Sequence, residues 1–300
     1  MERLEVVCRA GKEADTSDVM ELTSTIWEGG DYVPKTWADW LADTQGLLAV
    51  AEYQGRVLGL GKLSRLTEQD WWLEGLRVHP EYEGRGIASQ LTHYLIDYWL
   101  QYGNGAIRLA TSAKRVQIHH LSRHHGMQKI LELTYYAAPA LADEPNLAPD
   151  QSSPEGVYRP VNGHEAHQAA IIANQSASLT LNAGLMDLYW QWAPPNKEFL
   201  SQEVARQRAF WWRDRSGVLV FGVDTDEQDA PAAFIKLLAG PLDELPAMLR
   251  AFRRLARQQS YSKAGWLAPL RSDIATILKN AGYQREWDSS LYLFAKKHPA

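Results

Sequence analysis

Apolar and polar positions along the first half of the chain fall into two periods, and these mark out its elements. Residues 4–9 (Leu-Glu-Val-Val-Cys-Arg) read as a strand. Val19, Leu22 and Ile26 recur at helical spacing and predict a helix over 13–27. Residues 27–37, rich in Gly, Asp and Pro, read as a loop, and 37–41 as a short helix. Two β-rich runs, 47–53 and 56–63, flank Gln54-Gly55 and predict a hairpin. A strand over 71–78 ends at His79-Pro80, and a loop with Gly84 and Gly86 opens an amphipathic helix over 87–102. A strand over 106–112, a helix over 116–125 stopped by Gly126 and a strand over 131–137 complete the unit.

Residues 138–156 carry Pro139, Pro145, Pro149 and Pro154 among Ser and Asp, the composition of a linker. Beyond it the order partly repeats. Val157-Tyr158-Arg159 resembles Val7-Cys8-Arg9, and each precedes a helical segment. Arg123-His124-His125-Gly126-Met127-Gln128-Lys129 resembles Lys279-Asn280-Ala281-Gly282-Tyr283-Gln284-Arg285, and a helix over 243–259 answers to the one over 87–102. The pattern predicts an α/β chain of two copies of one unit: a first domain over 1–140, a linker over 141–156 and a second domain over 157–300.

Composition narrows the class. With 45% hydrophobic and 22% charged residues in 300, the chain has ample core material. A formal charge of −5 shows no basic excess, so no nucleic-acid partner is expected. The single Cys8 cannot form an intramolecular disulfide and suits a structural thiol. No apolar run approaches the ~20 residues of a membrane span, and 1–5 show no signal-peptide apolar region. No membrane association and a cytoplasmic location are the expectations.

The chemistry concentrates where the strand over 71–78 gives way to the helix at 87. Backbone N–H groups at a helix start lack intrahelical partners and carry partial positive charge, a ready site for a pyrophosphate. Gly84 and Gly86 let the backbone approach phosphates, Ala88 is small enough for the tight helix start, and Arg85 offers a charge contact. A dinucleotide fingerprint is disfavoured, because Ser89 stands where the third glycine belongs and the loop follows antiparallel-looking strands.

Leu76-Arg77-Val78-His79-Pro80 followed by Glu83-Gly84-Arg85-Gly86-Ile87-Ala88 resembles the GNAT N-acetyltransferase family in order and spacing. The resemblance covers roughly residues 5 to 137. It implies a mixed, mostly antiparallel sheet flanked by helices, here in tandem with a degenerate second copy, and acetyl-CoA as co-substrate. It assigns cofactor contacts to Leu76, Arg77 and Val78 on the strand and to Glu83, Gly84, Arg85, Gly86, Ile87 and Ala88 on the loop. Glu83 departs from the Gln or Arg usual there and is expected to turn to solvent. Ile26-Trp27-Glu28-Gly29-Gly30-Asp31-Tyr32-Val33-Pro34 with Glu74-Gly75-Leu76-Arg77-Val78 looks like the histidine N-acetyltransferase-like branch.

Acetyl transfer to an amine needs a base for its proton. Glu74 is the catalytic candidate; strand alternation puts it on one face with Leu76 and Val78. The alternative is a surface or ion-paired Glu. The Tyr that often protonates the leaving thiolate in this family falls here at Ser122, with His119, His120, His124 and His125 nearby as substitutes or as a solvated helix end. His120 and His124 have metal-ligand spacing, but nothing suitable completes a set, so no metal is expected. Trp27, Glu28, Asp31 and Tyr32 are the substrate candidates, the acids to pair a cationic group and the rings to wall it; a solvated acidic loop is the alternative. The second domain lacks Gly-x-Gly at the equivalent helix, where Pro241 and Pro246 stand, so no second CoA site is expected. The implied function is direct acetyl transfer from acetyl-CoA to a small-molecule amine such as an amino acid. The competing reading is a catalytically weak CoA-binding sensor or interaction module. The oligomeric state has no signature in the sequence.

Overall fold

The structure, a computed structural model, describes residues 3–24, 26–142, 158–224 and 231–299. Two compact units divide the chain. The first holds Met1–Thr111, Arg115–Lys129 and Phe294–Ala300; the second holds Ser112–Lys114 and Ile130–Leu293. A single cut at 140 therefore does not separate them. Residues 143–156 of the expected linker lie outside the described residues.

In the first unit the order is β1 (Val7–Ala10), α1 (Thr16–Thr23), α2 (Val33–Ala42), β2 (Leu47–Tyr53), β3 (Arg56–Arg65), β4 (Asp70–Val78), α3 (Ile87–Tyr102), β5 (Ala106–Ser112) and α4 (Val116–His124). The sheet runs β1-β2-β3-β4-β5 and then the strand at Leu291–Lys297. The β1 to β4 pairings are antiparallel, and β4–β5 is parallel. Gln54 and Gly55 at the β2–β3 hairpin both take positive φ, 51° and 82°, the left-handed pair that matches strand twist in a two-residue turn.

Helices α1 and α2 bury Val19, Leu22, Val33, Trp37 and Trp40 against Leu48, Val50, Val57 and Leu60. Helix α3 buries Leu91, Leu95, Ile96 and Trp99. The expected helix over 13–27 is a 3-10 turn at Glu13–Asp15, then α1, then a 3-10 turn at Ile26–Gly29. Helix α2 starts four residues before the expected 37, at Val33, inside the stretch read as loop. Pro34 sits in its first turn, where a missing N–H costs nothing because that group has no intrahelical partner.

The second unit repeats this order with additions: β6 (Gln128–Pro139, its first two residues in the first unit), β7 (Tyr158–Pro160), α5 (Ala166–Gln175), α6 (Ala177–Leu181), β8 (Met186–Asp187), β9 (Trp192–Ala193), α7 (Lys197–Ala205), β10 (Ala209–Trp212), β11 (Gly217–Asp224), β12 (Ala232–Ala239), α8 (Leu245–Gln258), β13 (Lys263–Pro269), α9 (Ser272–Asn280), β14 (Gln284–Arg285) and β15 (Leu291–Lys297, from Phe294 onward in the first unit). Its sheet runs β6-β13-β12-β11-β10-β7. Pro139, expected in the linker, pairs with Lys263 at the end of β6.

Details confirm the repeat. Arg9 pairs with Asp15, whose carboxylate accepts the Lys12 N–H; Arg159 pairs with Glu165, whose carboxylate accepts the Asn162 N–H. Helix α4 closes with Met127 N–H on the Ser122 carbonyl, and α9 with Tyr283 N–H on the Leu278 carbonyl, each 2.9 Å. In both, a positive-φ glycine, Gly126 or Gly282, makes that cap. In both units a parallel strand pair opens after a short ladder: Asp70 to Trp72 on Ala106 to Arg108, and Ala232 to Ile235 on Lys263 to Trp266.

Candidate active site

Strand β4 pairs with β5 only as far as Trp72, yet continues to Val78. Its last residues leave the parallel ladder and lead into the loop before α3. There Gly84 and Gly86 take φ of +74° and +84°, a region that side-chain-bearing residues rarely adopt. Gly86 is the N-cap of α3, and no side chain caps the helix. Its first N–H groups are therefore left without a side-chain cap. Residues 3–6 run beside this loop: Leu4 N–H donates to the Arg85 carbonyl at 3.0 Å, and Gln90 donates from Nε2 to the Leu4 carbonyl at 2.7 Å. The Arg85 guanidinium lies 5.3 Å from the Tyr82 ring centroid, and Glu83 is exposed. Ile87 is buried and anchors the helix start, while Ala88 is half-buried.

A bulge interrupts β4. Leu60 opposes Arg77 while Lys62 opposes Glu74, so β4 carries one extra residue there. Gly75 at φ +66° absorbs it, with the Trp40 ring where a Cβ would lie at 2.4 Å. The expected common face for Glu74, Leu76 and Val78 is thereby corrected. Glu74 shares a face with Arg77, opposite Lys62 and Leu60; Val78, opposite Gly59, lies on the other. Sequence reasoning missed the bulge, although an isolated Gly inside a strand pattern is its usual signal.

The Glu74 face is the one covered by α1 and α2, and it gathers a polar group. Ser64 donates its hydroxyl to Glu74 at 2.6 Å. Arg77 donates from Nε and Nη2 to the two oxygens of Asp31 at 2.8 and 2.9 Å, a bidentate pair with both side chains buried. The Arg77 guanidinium also lies 5.3 Å from the Tyr32 ring centroid. Burial pushes the Tyr32 phenol up, opposed by Arg77. The structure thus brings Asp31, Tyr32, Glu74 and Arg77 together. It corrects the expectation that Asp31 is free to hold an acceptor cation: an internal cation, Arg77, already holds it. The Arg77 side chain correspondingly points to Asp31. The side chains of Trp27 and Glu28 lie outside the described residues.

Near α4, the Ser122 hydroxyl donates to the Ile118 carbonyl within its own helix at 2.7 Å. His119 is buried against Phe294, whereas His120 and His124 are exposed. Of the four histidines, His125 approaches the first turn of α3, with Nε2 3.3 Å from the Ser89 hydroxyl. Burial, then the neighbouring His124 and His93, pushes its pKa down, favouring the neutral ring.

Residues 16–127 match the acetyltransferase (GNAT) family. This segment belongs to the acetyltransferase (GNAT) family. The histidine N-acetyltransferase of Oreochromis niloticus is 32% identical over 83 residues, 27% of this chain and 25% of that protein. That of Xenopus tropicalis is 31% identical over 93 residues, 31% of this chain and 28% of that protein. The match thus spans about a quarter of the length of these curated relatives. Two solved structures extend over the whole chain: a GCN5-related N-acetyltransferase from Sphaerobacter thermophilus and a tandem GNAT protein from the clavulanic acid biosynthesis pathway. The first has TM-score 0.61, 16% identity and coverage of 100% of this chain and 98% of that one. The second has TM-score 0.56, 13% identity and coverage of 99% of both chains. At these identities they show the fold, a tandem GNAT arrangement. GNAT enzymes use acetyl-CoA as co-substrate. Among the described residues no helix is long and apolar enough to cross a membrane.

Proposed function

We propose that the chain transfers the acetyl group of acetyl-CoA to the amine of a small molecule, an amino acid such as histidine being the first acceptor to test. The observation that carries this reading is the parting of β4 from β5 directly before a helix capped by positive-φ Gly86. That cleft offers backbone of 76–78 along its edge and the α3 N–H groups at its end, an arrangement suited to an extended cofactor with a terminal pyrophosphate. Leu76, Val78 and the loop over 83–88 are the proposed cofactor contacts.

In the proposed mechanism the amine attacks the thioester directly. Glu74, half-buried and fixed by Ser64, takes the amine proton directly or through water. Tyr32, held by the Arg77–Asp31 pair, walls the acceptor side. The histidine-like acceptor rests on the named relatives. The second unit is read as having no acetyl-CoA site. Its helix α8 is capped by Glu244, whose carboxylate accepts from the Trp212 indole and pairs with Arg213; an anion at that position opposes a pyrophosphate.

A screen of acetyl-CoA-dependent thiol release across free amino acids, polyamines and lysine peptides tests the reading. Release with free amino acids supports it. Efficient acetylation of peptides alone refutes the small-molecule acceptor, and acetyl-CoA binding without turnover in any arm refutes the enzyme in favour of a sensor.

A further inference from the structure

The second unit encloses a cavity of about 360 Å3, and all of its lining residues belong to that unit. Five of its twelve lining residues are aromatic. Trp190 stacks on Trp287 with centroids 6.0 Å apart and planes at 14°, and Tyr135 leans on Trp287 at 5.7 Å. Tyr189 meets Phe234 edge-on at 5.7 Å. Two central strands give up side chains to make room for this wall. A Cβ on Gly265 would lie 2.1 Å from the Tyr135 hydroxyl, and one on Gly222 would lie 2.4 Å from the Phe234 ring.

The rings at the mouth are held against their backbone preference. Tyr189 and Trp190 take φ of 66° and 68°, rare for bulky residues. The Asp187 carboxylate fixes them by accepting the Trp190 N–H at 2.9 Å. This strain does not serve core packing, because Tyr189 is 40% and Trp190 56% exposed. Strained, exposed aromatics cluster at ligand clamps.

The charge of the lining is one-sided. Asp187, Asp224 and Glu286 share the lining with one cation, Lys263, which approaches Glu286 to 3.5 Å, while Lys236 outside the lining acts on Asp187. Asp224 and Glu286 both act on the Tyr135 hydroxyl, which burial and these charges together push up to about 12. Lys236, 3.9 Å from the Tyr189 ring centroid, is matched inside the protein by Glu203 at 2.8 Å. Aromatic faces and carboxylates attract the same partner, a cation, and disfavour anions. The volume lies at the lower end of ligand pockets, roughly that of a molecule with one ring.

We propose that this cavity binds a small organic ammonium ion with an aromatic or apolar body, independently of acetyl-CoA. The test is calorimetry on the full chain without acetyl-CoA, using 2-phenylethylammonium, the neutral 2-phenylethanol and the anionic 3-phenylpropanoate. The ammonium should bind roughly tenfold more tightly than the alcohol, and the carboxylate least. Trp287→Ala and Glu286→Gln should each weaken ammonium binding by roughly fivefold or more, whereas Glu74→Gln in the first unit should leave it unchanged. Glu286→Gln is the decisive variant if Trp287→Ala lowers the unfolding midpoint, because the Glu286 side chain is 39% exposed and its removal spares the core. Equal affinity for ammonium and alcohol, ammonium binding untouched by Glu286→Gln, or binding lost only with Glu74→Gln would each overturn the assignment. Because no acetyl-CoA is present, failure here leaves the transferase reading standing, and failure of turnover leaves this one standing.

Discussion

The Asp31–Arg77 pair distinguishes a structural role for Asp31 from the acceptor-binding role its sequence context suggests. Asp31→Asn keeps the shape and one carbonyl acceptor but removes the charge that matches a buried guanidinium. Both side chains are nearly inaccessible, at 1% and 8%, so water cannot take over. Breaking a buried pair from one side costs about 3–5 kcal/mol, and the retained amide oxygen argues for the lower end, about 3 kcal/mol. With a urea dependence of about 1–3 kcal/mol per molar, the first unit's midpoint should fall by roughly 1–3 M. Removing both partners, as Asp31→Asn with Arg77→Met, leaves no unmatched charge. The double variant should therefore be less destabilised than the sum of the single ones, by roughly 1–3 kcal/mol in a double-mutant cycle. The assay is urea unfolding at pH 7 followed by near-ultraviolet circular dichroism. A single-variant cost below about 1 kcal/mol, with a raised KM for the amine, would refute this reasoning and return Asp31 to the acceptor.

Gly86→Glu places an anion and a strained φ at the α3 cap, so acetyl-CoA affinity by calorimetry should drop by roughly a hundredfold with circular dichroism unchanged. Glu74→Gln should lower kcat by about 10²–10⁴-fold near neutral pH with little change in acetyl-CoA affinity, and the loss should shrink at high pH, where free amine is abundant; a Gln variant with near-normal kcat would eliminate Glu74 as the base. In the second unit, hydrogen bonding from Arg159, then from the Asn162 N–H, holds the Glu165 carboxyl at about 2, below its ordinary 4.5. A depressed carboxylate stabilises the fold above its unfolded value, so this unit should lose stability as pH falls from about 4.5 to about 2, and Glu165→Gln should flatten that slope in pH-dependent unfolding.

The features legible in the sequence were those set by local chemistry. Gln54-Gly55 announces its hairpin because only left-handed residues make that turn, and Gly126 and Gly282 announce helix ends for the same reason. The α3 loop was legible because its glycines sit at a fixed spacing after a strand. Contacts made across long stretches of chain were not. Asp31 and Arg77 are 46 positions apart, and only the packing of α2 on β4 brings them together. The faces of β4 were misjudged because one extra residue, absorbed at Gly75, shifts the alternation. The aromatic cavity was missed because its wall draws on β6, the loop after β8, β12 and the loop after β14; glycines at 222 and 265 within strand patterns were its one local trace.

The path of the chain also sets an order of biosynthesis. Phe294, fully buried and packed on His119, and the later residues of β15, the strand that follows β5 in the sheet, belong to the first unit, yet they follow the second unit in the chain. At about 5–20 residues per second, the ribosome delivers them roughly ten to thirty seconds after α4 has emerged. For that interval the nascent first unit carries an open sheet edge at β5, the kind of edge that recruits stray strands. A chaperone that shields unpaired edges would have its greatest effect on this protein during that interval.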